Sequence, residues 1–163
     1  MTLVCGIDPG VTGAVGFLDA SGNFVGVHDM PVLPTSTGRR QVNHAALAVI
    51  PRDQKPGFVL VERVGPRPGE GAVGAFTFGQ TYGGILGVLA ALGISHDVIQ
   101  PATWKRRAGI PPKADKQASI ATAVRLIPDA APFLSRVKDD GRAESLLLAR
   151  QALNGQAIVE RLK

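Results

Sequence analysis

Three acidic positions stand where a chain could do metal-assisted chemistry. Asp8 closes a short apolar run inside Gly6-Ile-Asp-Pro-Gly-Val-Thr-Gly13, and Glu62 closes Phe58-Val-Leu-Val-Glu62. Asp139-Asp140-Gly-Arg-Ala-Glu144 opens an apolar, helix-patterned stretch. Carboxylates are hard oxygen ligands that suit magnesium or manganese, and no His/Cys set offers a competing zinc site. Carboxylates converging on one point repel unless cations neutralise them. Two divalent ions about 3.5–4 Å apart could activate a water and stabilise the leaving oxygen in phosphodiester hydrolysis.

Each acid also has a structural reading. Asp8-Pro-Gly is compatible with an ordinary turn, and Glu62 with a salt bridge to Arg63 or Arg67. Asp140 and Glu144 are four apart and share a helix face. Asp139 lies out of phase with Glu144 and reads as a cap or flank rather than a ligand. For Asp140, cap and ligand both stay open. Glu144 reads as a ligand, because Ser145-Leu-Leu-Leu148 packs into the core beside it. The joint placement of the acids, more than any one of them, argues for a site.

The elements that must position them follow from hydrophobic pattern. Leu3–Ile7, Ala14–Leu18 and Phe24–His28 read as a three-stranded meander, with a glycine turn after Asp8 and a hairpin loop at Asp19-Ala-Ser-Gly-Asn23. Pro31–Gly38 reads as a loop and Arg40–Ile50 as a helix. Phe58–Glu62, almost wholly apolar, reads as a buried central strand. Gly65–Gly74 reads as a mobile Gly/Pro loop, Phe76–Leu92 as a helix rich in small residues, and His96–Ile99 as a fifth strand. Lys116–Leu126 and Ala143–Leu153 read as amphipathic helices. The order β-β-β-α-β-α-β-α-α implies an α/β fold with a mixed five-stranded sheet flanked by helices, in one domain over residues 1–163. If the first and fourth strands are parallel neighbours, Asp8 and Glu62 stand side by side at their carboxyl ends, where open α/β sheets place their chemistry.

Composition narrows the class. Hydrophobic residues are 45% of the 163, which excludes a disordered chain, and the apolar runs are too short and Gly-broken to span a bilayer. The first residues lack a basic n-region, and a single Cys5 forms no internal disulfide, so a reducing cytoplasm is expected. A net charge of +5 suits a polyanionic partner. Between Lys105 and Lys116 lie five basic residues (Lys105, Arg106, Arg107, Lys113, Lys116) and one acid, Asp115.

In order along the chain, Gly6–Ala14, Val59–Glu62, Phe78-Gly-Gln-Thr-Tyr-Gly83, Pro101-Ala-Thr-Trp-Lys105, Ala114-Asp-Lys116 and Asp140-Gly-Arg-Ala-Glu144-Ser-Leu-Leu147 resemble the motifs of RuvC-type Holliday junction resolvases, in the style of bacteriophage members. The resemblance implies an RNase H-like fold and a magnesium-dependent endonuclease, manganese substituting, with two ions per site. It also implies a homodimer that nicks opposed strands of a four-way junction, and forks as a further substrate. Carried over by position, Asp8, Glu62, Asp140 and Glu144 would hold metal. Lys105 and Lys116 would meet the scissile phosphate region, Lys116 steadying charge in the transition state. Lys113, Thr12 and Arg67 would contact DNA, and Arg106 and Arg107 read as a general DNA contact or as a solvated basic face. The small residues of the helix 76–92 read as a dimer interface or as ordinary packing onto the sheet. Trp104 reads as core or as a stacking surface for a base.

The chain departs from the family pattern in two places. Gly141 stands where cellular members carry a metal ligand three residues before the last acid. Val64-Gly-Pro-Arg67 replaces the aromatic residue that often follows the second acid, so relaxed cleavage-sequence preference is expected. Rival readings are another RNase H-like nuclease acting on hybrids, flaps or forks, a non-catalytic junction-binding protein, and an actin-like nucleotide-binding fragment, the last needing a second domain for which 163 residues leave no room.

Overall fold

A computed structural model describes residues 2–65 and 69–161, with side chains described through Asn154. Five strands form the main sheet: β1 (Leu3–Asp8), β2 (Ala14–Asp19), β3 (Phe24–Asp29), β6 (Phe58–Glu62) and β7 (His96–Ile99). Their spatial order is β3-β2-β1-β6-β7, with β1, β6 and β7 parallel and β2 antiparallel to both its neighbours. The register pairs Val4 with Phe58 and Ile7 with Val61; carried one residue on, it sets Asp8 beside Glu62.

Strand alternation decides which way those acids point. Val4, Leu18, Phe58 and Leu60 bury against α3 (Pro101–Ala108), α4 (Lys116–Leu126) and α5 (Asp140–Arg161). Cys5, Ile7, Val15, Phe17, Val59 and Val61 bury on the opposite face, beneath α1 (His44–Gln54) and α2 (Ala72–Ala91). With a period of two, Asp8 and Glu62 fall on the α5 face. Helix α5 lies directly across β1, β2 and β6, burying Ala143, Leu146, Leu147, Leu148, Ala149 and Ala152.

The close approach of α5 depends on missing side chains. A Cβ on Gly6 would sit 2.1 Å from the Ser145 carbonyl oxygen and 2.3 Å from the Ala149 amide nitrogen. A Cβ on Gly16 would come within 2.9 Å of the Leu146 amide, and one on Gly141 within 2.4 Å of the Thr12 carbonyl. Helix backbone therefore rests on strand backbone at the place where Glu144 must reach Asp8.

Several expected boundaries shift. Arg40–Val42 is a strand (β5) paired with β4 (Val32–Pro34), inside the expected loop and the expected helix. The helix cannot begin before Asn43, whose side chain caps it by accepting from the Ala46 amide. Helix α2 starts at Ala72, so Ala72–Gly74 are not loop, and Pro66–Pro68 lie outside the described residues. The basic stretch contains a helix, α3, with Pro101 at its first turn and Gly109 as its left-handed cap. A 3₁₀ turn over Pro128–Phe133 precedes the last helix, which begins at Asp140.

Candidate active site

Asp8, Glu62 and Glu144 converge, each offering a carboxylate oxygen within 4.8 Å of the others. Asp8 arrives on β1, Glu62 on its parallel neighbour, and Glu144 one turn into the helix packed over both. Burial pushes the Asp8 carboxyl well above the ordinary range, and Glu144, Glu62 and Asp140 push it further in the same direction; Lys105 opposes them. Burial likewise raises Glu62, against the hydrogen bond from Trp104. Three half-buried acids facing one another are an all-oxygen donor set short of positive charge, which fits divalent metal ions.

The carboxylates are oriented by buried donors. The Trp104 indole N–H donates to Glu62 Oε2 at 2.7 Å, and the ring is fully buried. The Ser119 hydroxyl, also buried, donates to Glu144 Oε1 at 2.9 Å, and Lys105 Nζ lies 2.8 Å from the same oxygen. Burial lowers the Lys105 pKa, but the bond to Glu144 and the surrounding acids outweigh it, and the net shift is upward. Lys105 also stands 5.2 Å from the Trp104 ring centre. Trp104 is thus core, while its one polar atom serves Glu62. The partner of Glu62 is this indole, not a salt bridge to Arg63; Arg67 lies outside the described residues.

Asp140 stands beside the trio rather than in it. Its Oδ2 pairs with Lys116 Nζ at 2.7 Å, and this bond raises the lysine's pKa. Asp139 turns away: only 1% exposed, it accepts from the Arg136 amide at 2.8 Å, Arg136 Nε at 2.9 Å and Arg136 Nη2 at 2.6 Å. Arg142 donates twice to Asp29 at the end of β3, at 2.6 and 2.7 Å, tying the start of α5 to the sheet. Thr12, Arg106 and Lys113 are exposed in the cavities that flank the cluster, Thr12 on the glycine turn, Arg106 in the last turn of α3 and Lys113 in the loop after it, whereas Arg107, expected beside them, faces another cavity with Phe58, Asp97 and Asn154.

Trp104 and Ser119 are the supporting residues that the sequence reading passed over as site members. A signal was present for both. A buried indole N–H needs an acceptor, and Ser119 follows Lys116 by three on one helix face.

This sheet order, with its acids on the α5 face, defines an α/β protein of the RNase H-like fold. More narrowly, the fold is that of the RuvC resolvases. The structure of T. thermophilus RuvC in complex with a Holliday junction substrate matches with a TM-score of 0.65 at 19% identity, covering 96% of each chain. A second Thermus thermophilus RuvC structure matches at 0.56 and 21% identity, over 95% of this chain and 98% of that one. The yeast mitochondrial Holliday junction resolvase Ydc2 matches at 0.51 and 12% identity, over 97% of this chain and 82% of that one. In sequence, the chain is 35% identical over 123 residues to the chloroplastic Holliday junction resolvase MOC1 of Chlamydomonas reinhardtii; the match takes in 71% of this chain and 14% of that protein's length. No family model matches the chain.

Proposed function

We propose that the chain is a divalent-metal-dependent endonuclease that resolves four-way DNA junctions, working as one nuclease domain over residues 1–163. The observation that carries the reading is the meeting of Asp8, Glu62 and Glu144 at the ends of two adjacent parallel strands, with Lys105 and Lys116 at the edge. Relatedness to proteins named as Holliday junction resolvases selects the substrate among the chemistries such a centre would serve.

Asp8, Glu62 and Glu144 are the residues to hold magnesium, or manganese in its place, with Asp140 available at the rim to complete a two-ion set. When bound, the cations supply Lewis acidity toward a water and the leaving oxygen of a phosphodiester. Trp104 and Ser119 keep the carboxylates of Glu62 and Glu144 turned toward that centre. Lys116, whose side chain is 75% exposed, is placed to meet an incoming phosphate and to steady charge on it, while Lys105 sits deeper against Glu144. Arg106, Lys113, Thr12 and Arg67 are assigned to backbone contacts, which orient DNA without reading sequence. Asp139 is assigned to structure, through Arg136.

A homodimer suits a substrate with two equivalent cuts. Helix α2 supports this reading: its 20 residues carry no charge, Val73 and Phe76 are 74% and 68% exposed, and Gly79, Gly83 and Gly87 face open space. No described helix is long and apolar enough to cross a membrane, and the buried thiol of Cys5 is compatible with cytoplasmic residence.

The test is cleavage of a synthetic four-way junction with and without magnesium by the wild type and Asp8→Asn. Paired, metal-dependent nicks that vanish in the variant while junction binding persists are expected. Binding without cleavage in either metal would instead favour a non-catalytic junction-binding protein, and stronger cutting of forks, flaps or hybrids a different RNase H-like nuclease.

A further inference from the structure

A cavity of about 750 Å³ lies between α3, the loop 109–115 and the start of α4, with Ser119 and Glu144 in its wall. A phosphodiester at the acidic cluster would therefore place its neighbouring nucleotide at this opening. The lining divides into two chemistries. Ile110, Pro111 and Pro112 are apolar, while Arg106 and Lys113 are cationic. Lys105 and Lys116 also line it but are committed to Glu144 and Asp140. Arg106 and Lys113 have no carboxylate partner among the described residues.

The wall is preset. Lys113 holds a left-handed backbone, φ +62°, which side-chain-bearing residues rarely adopt. Two prolines fix the chain just before it, the Ala114 amide donates to the Pro111 carbonyl at 3.2 Å, and Asp115 caps α4 through the Ala118 amide. A rigid loop loses little freedom on binding.

A nucleotide kept in a duplex presents sugar and phosphate outward and would leave the apolar wall without a contact. An unstacked nucleobase has flat apolar faces and a charged phosphate beside it, matching both halves of the lining, and the volume leaves room for the base together with its sugar and phosphate. We propose that this cavity receives one unstacked base from the nucleotide next to the scissile phosphate, with the adjoining phosphate held by Arg106 and Lys113. The inference rests on the nuclease reading of the neighbouring acids and adds to it a source of selectivity. Bases at a branch point are extruded at less cost than bases inside an intact helix.

The test uses junctions carrying 2-aminopurine one nucleotide to either side of the cut mapped with the wild type, bound to Asp8→Asn in calcium. No aromatic residue lines the cavity, so a probe base inside it escapes both base stacking and side-chain quenching. One of the two positions is expected to brighten several-fold on binding. Adding Ala102→Trp, at an exposed α3 position on the cavity wall, is expected to quench that signal, read at saturating protein so that every junction is bound. No brightening at either position, or brightening that Ala102→Trp does not alter, would overturn the proposal although cleavage still occurs. A wild type that cuts no junction overturns the nuclease reading itself, before this step is reached.

Discussion

Asp8→Asn should stabilise the metal-free protein while abolishing its activity. The Asp8 carboxylate has no hydrogen-bonding partner among the described residues and faces Glu62 and Glu144 within 4.8 Å, the nearest cation being engaged by Glu144. At an effective dielectric of ~20, two charges at that distance repel by ~3.5 kcal/mol. The upward shift of the Asp8 carboxyl offsets part of this repulsion, so the net relief from the substitution is about 1–2 kcal/mol, or ~2–8 °C in Tm at ~2–4 °C per kcal/mol. The sign with pH follows from the raised carboxyl. Its contribution to stability is full below the ordinary value of ~3.9 and is lost as pH rises through the folded-state value. The advantage of the variant should therefore shrink as the pH falls. Magnesium reverses the ranking: at a hundred times its Kd, a ligand adds about 2.7 kcal/mol to the folded state. Thermal melts of both proteins, chelated and with saturating magnesium, read all of this together, and the wild type should gain ~5–10 °C with the metal. A metal-free variant no more stable than the wild type, with equal magnesium gains in both, would refute a charge-strained metal centre at Asp8.

Three further outcomes follow from the geometry. Trp104→Phe keeps a buried ring but removes the donor to Glu62, and calorimetric titration with manganese should show affinity reduced ~10–100-fold; unchanged affinity would make Trp104 packing alone. Gly6→Ala must lift α5, because the new methyl would sit 2.1 Å from the Ser145 carbonyl. Denaturant melts should show a loss of ~1–3 kcal/mol, and cleavage should fall on the order of 10²-fold as Glu144 is displaced from Asp8; wild-type values for both would mean the helix seat is loose. For Asp139, burial raises the carboxyl but the Arg136 hydrogen bonds outweigh it, leaving the pKa low. Its stabilisation is present above ~3.9 and lost as pH falls through the depressed value, so Asp139→Asn should cost ~1–3 kcal/mol near neutrality and converge with the wild type in acid melts, while metal affinity stays unchanged.

Much of this was legible in the residues themselves. Near-continuous apolar runs ending in Asp8 and Glu62 marked two central strands, since few other settings put a lone carboxylate after four buried residues. The four-residue spacing of Asp140 and Glu144 set both on one helix face, and the Gly-rich turn after Asp8 marked the first hairpin. Helix α3 was not assigned from the sequence: at eight residues it is short, and Pro101 marks its start rather than a break because no amide is needed there. The short β4–β5 hairpin was hidden because three-residue strands carry too little periodicity to register. The sequence alone thus determined which groups are available and on which face of its own strand or helix each stands, because those are local geometry. Only the tertiary structure decided their partners. Glu62 meets Trp104 42 residues away, Glu144 meets Ser119 25 residues away, and Asp140 goes to Lys116 on another helix. Such choices depend on how closely α5 settles on the sheet, and that distance is set by three glycines on different elements, Gly6, Gly16 and Gly141, whose common role appears only when the backbones are brought into contact.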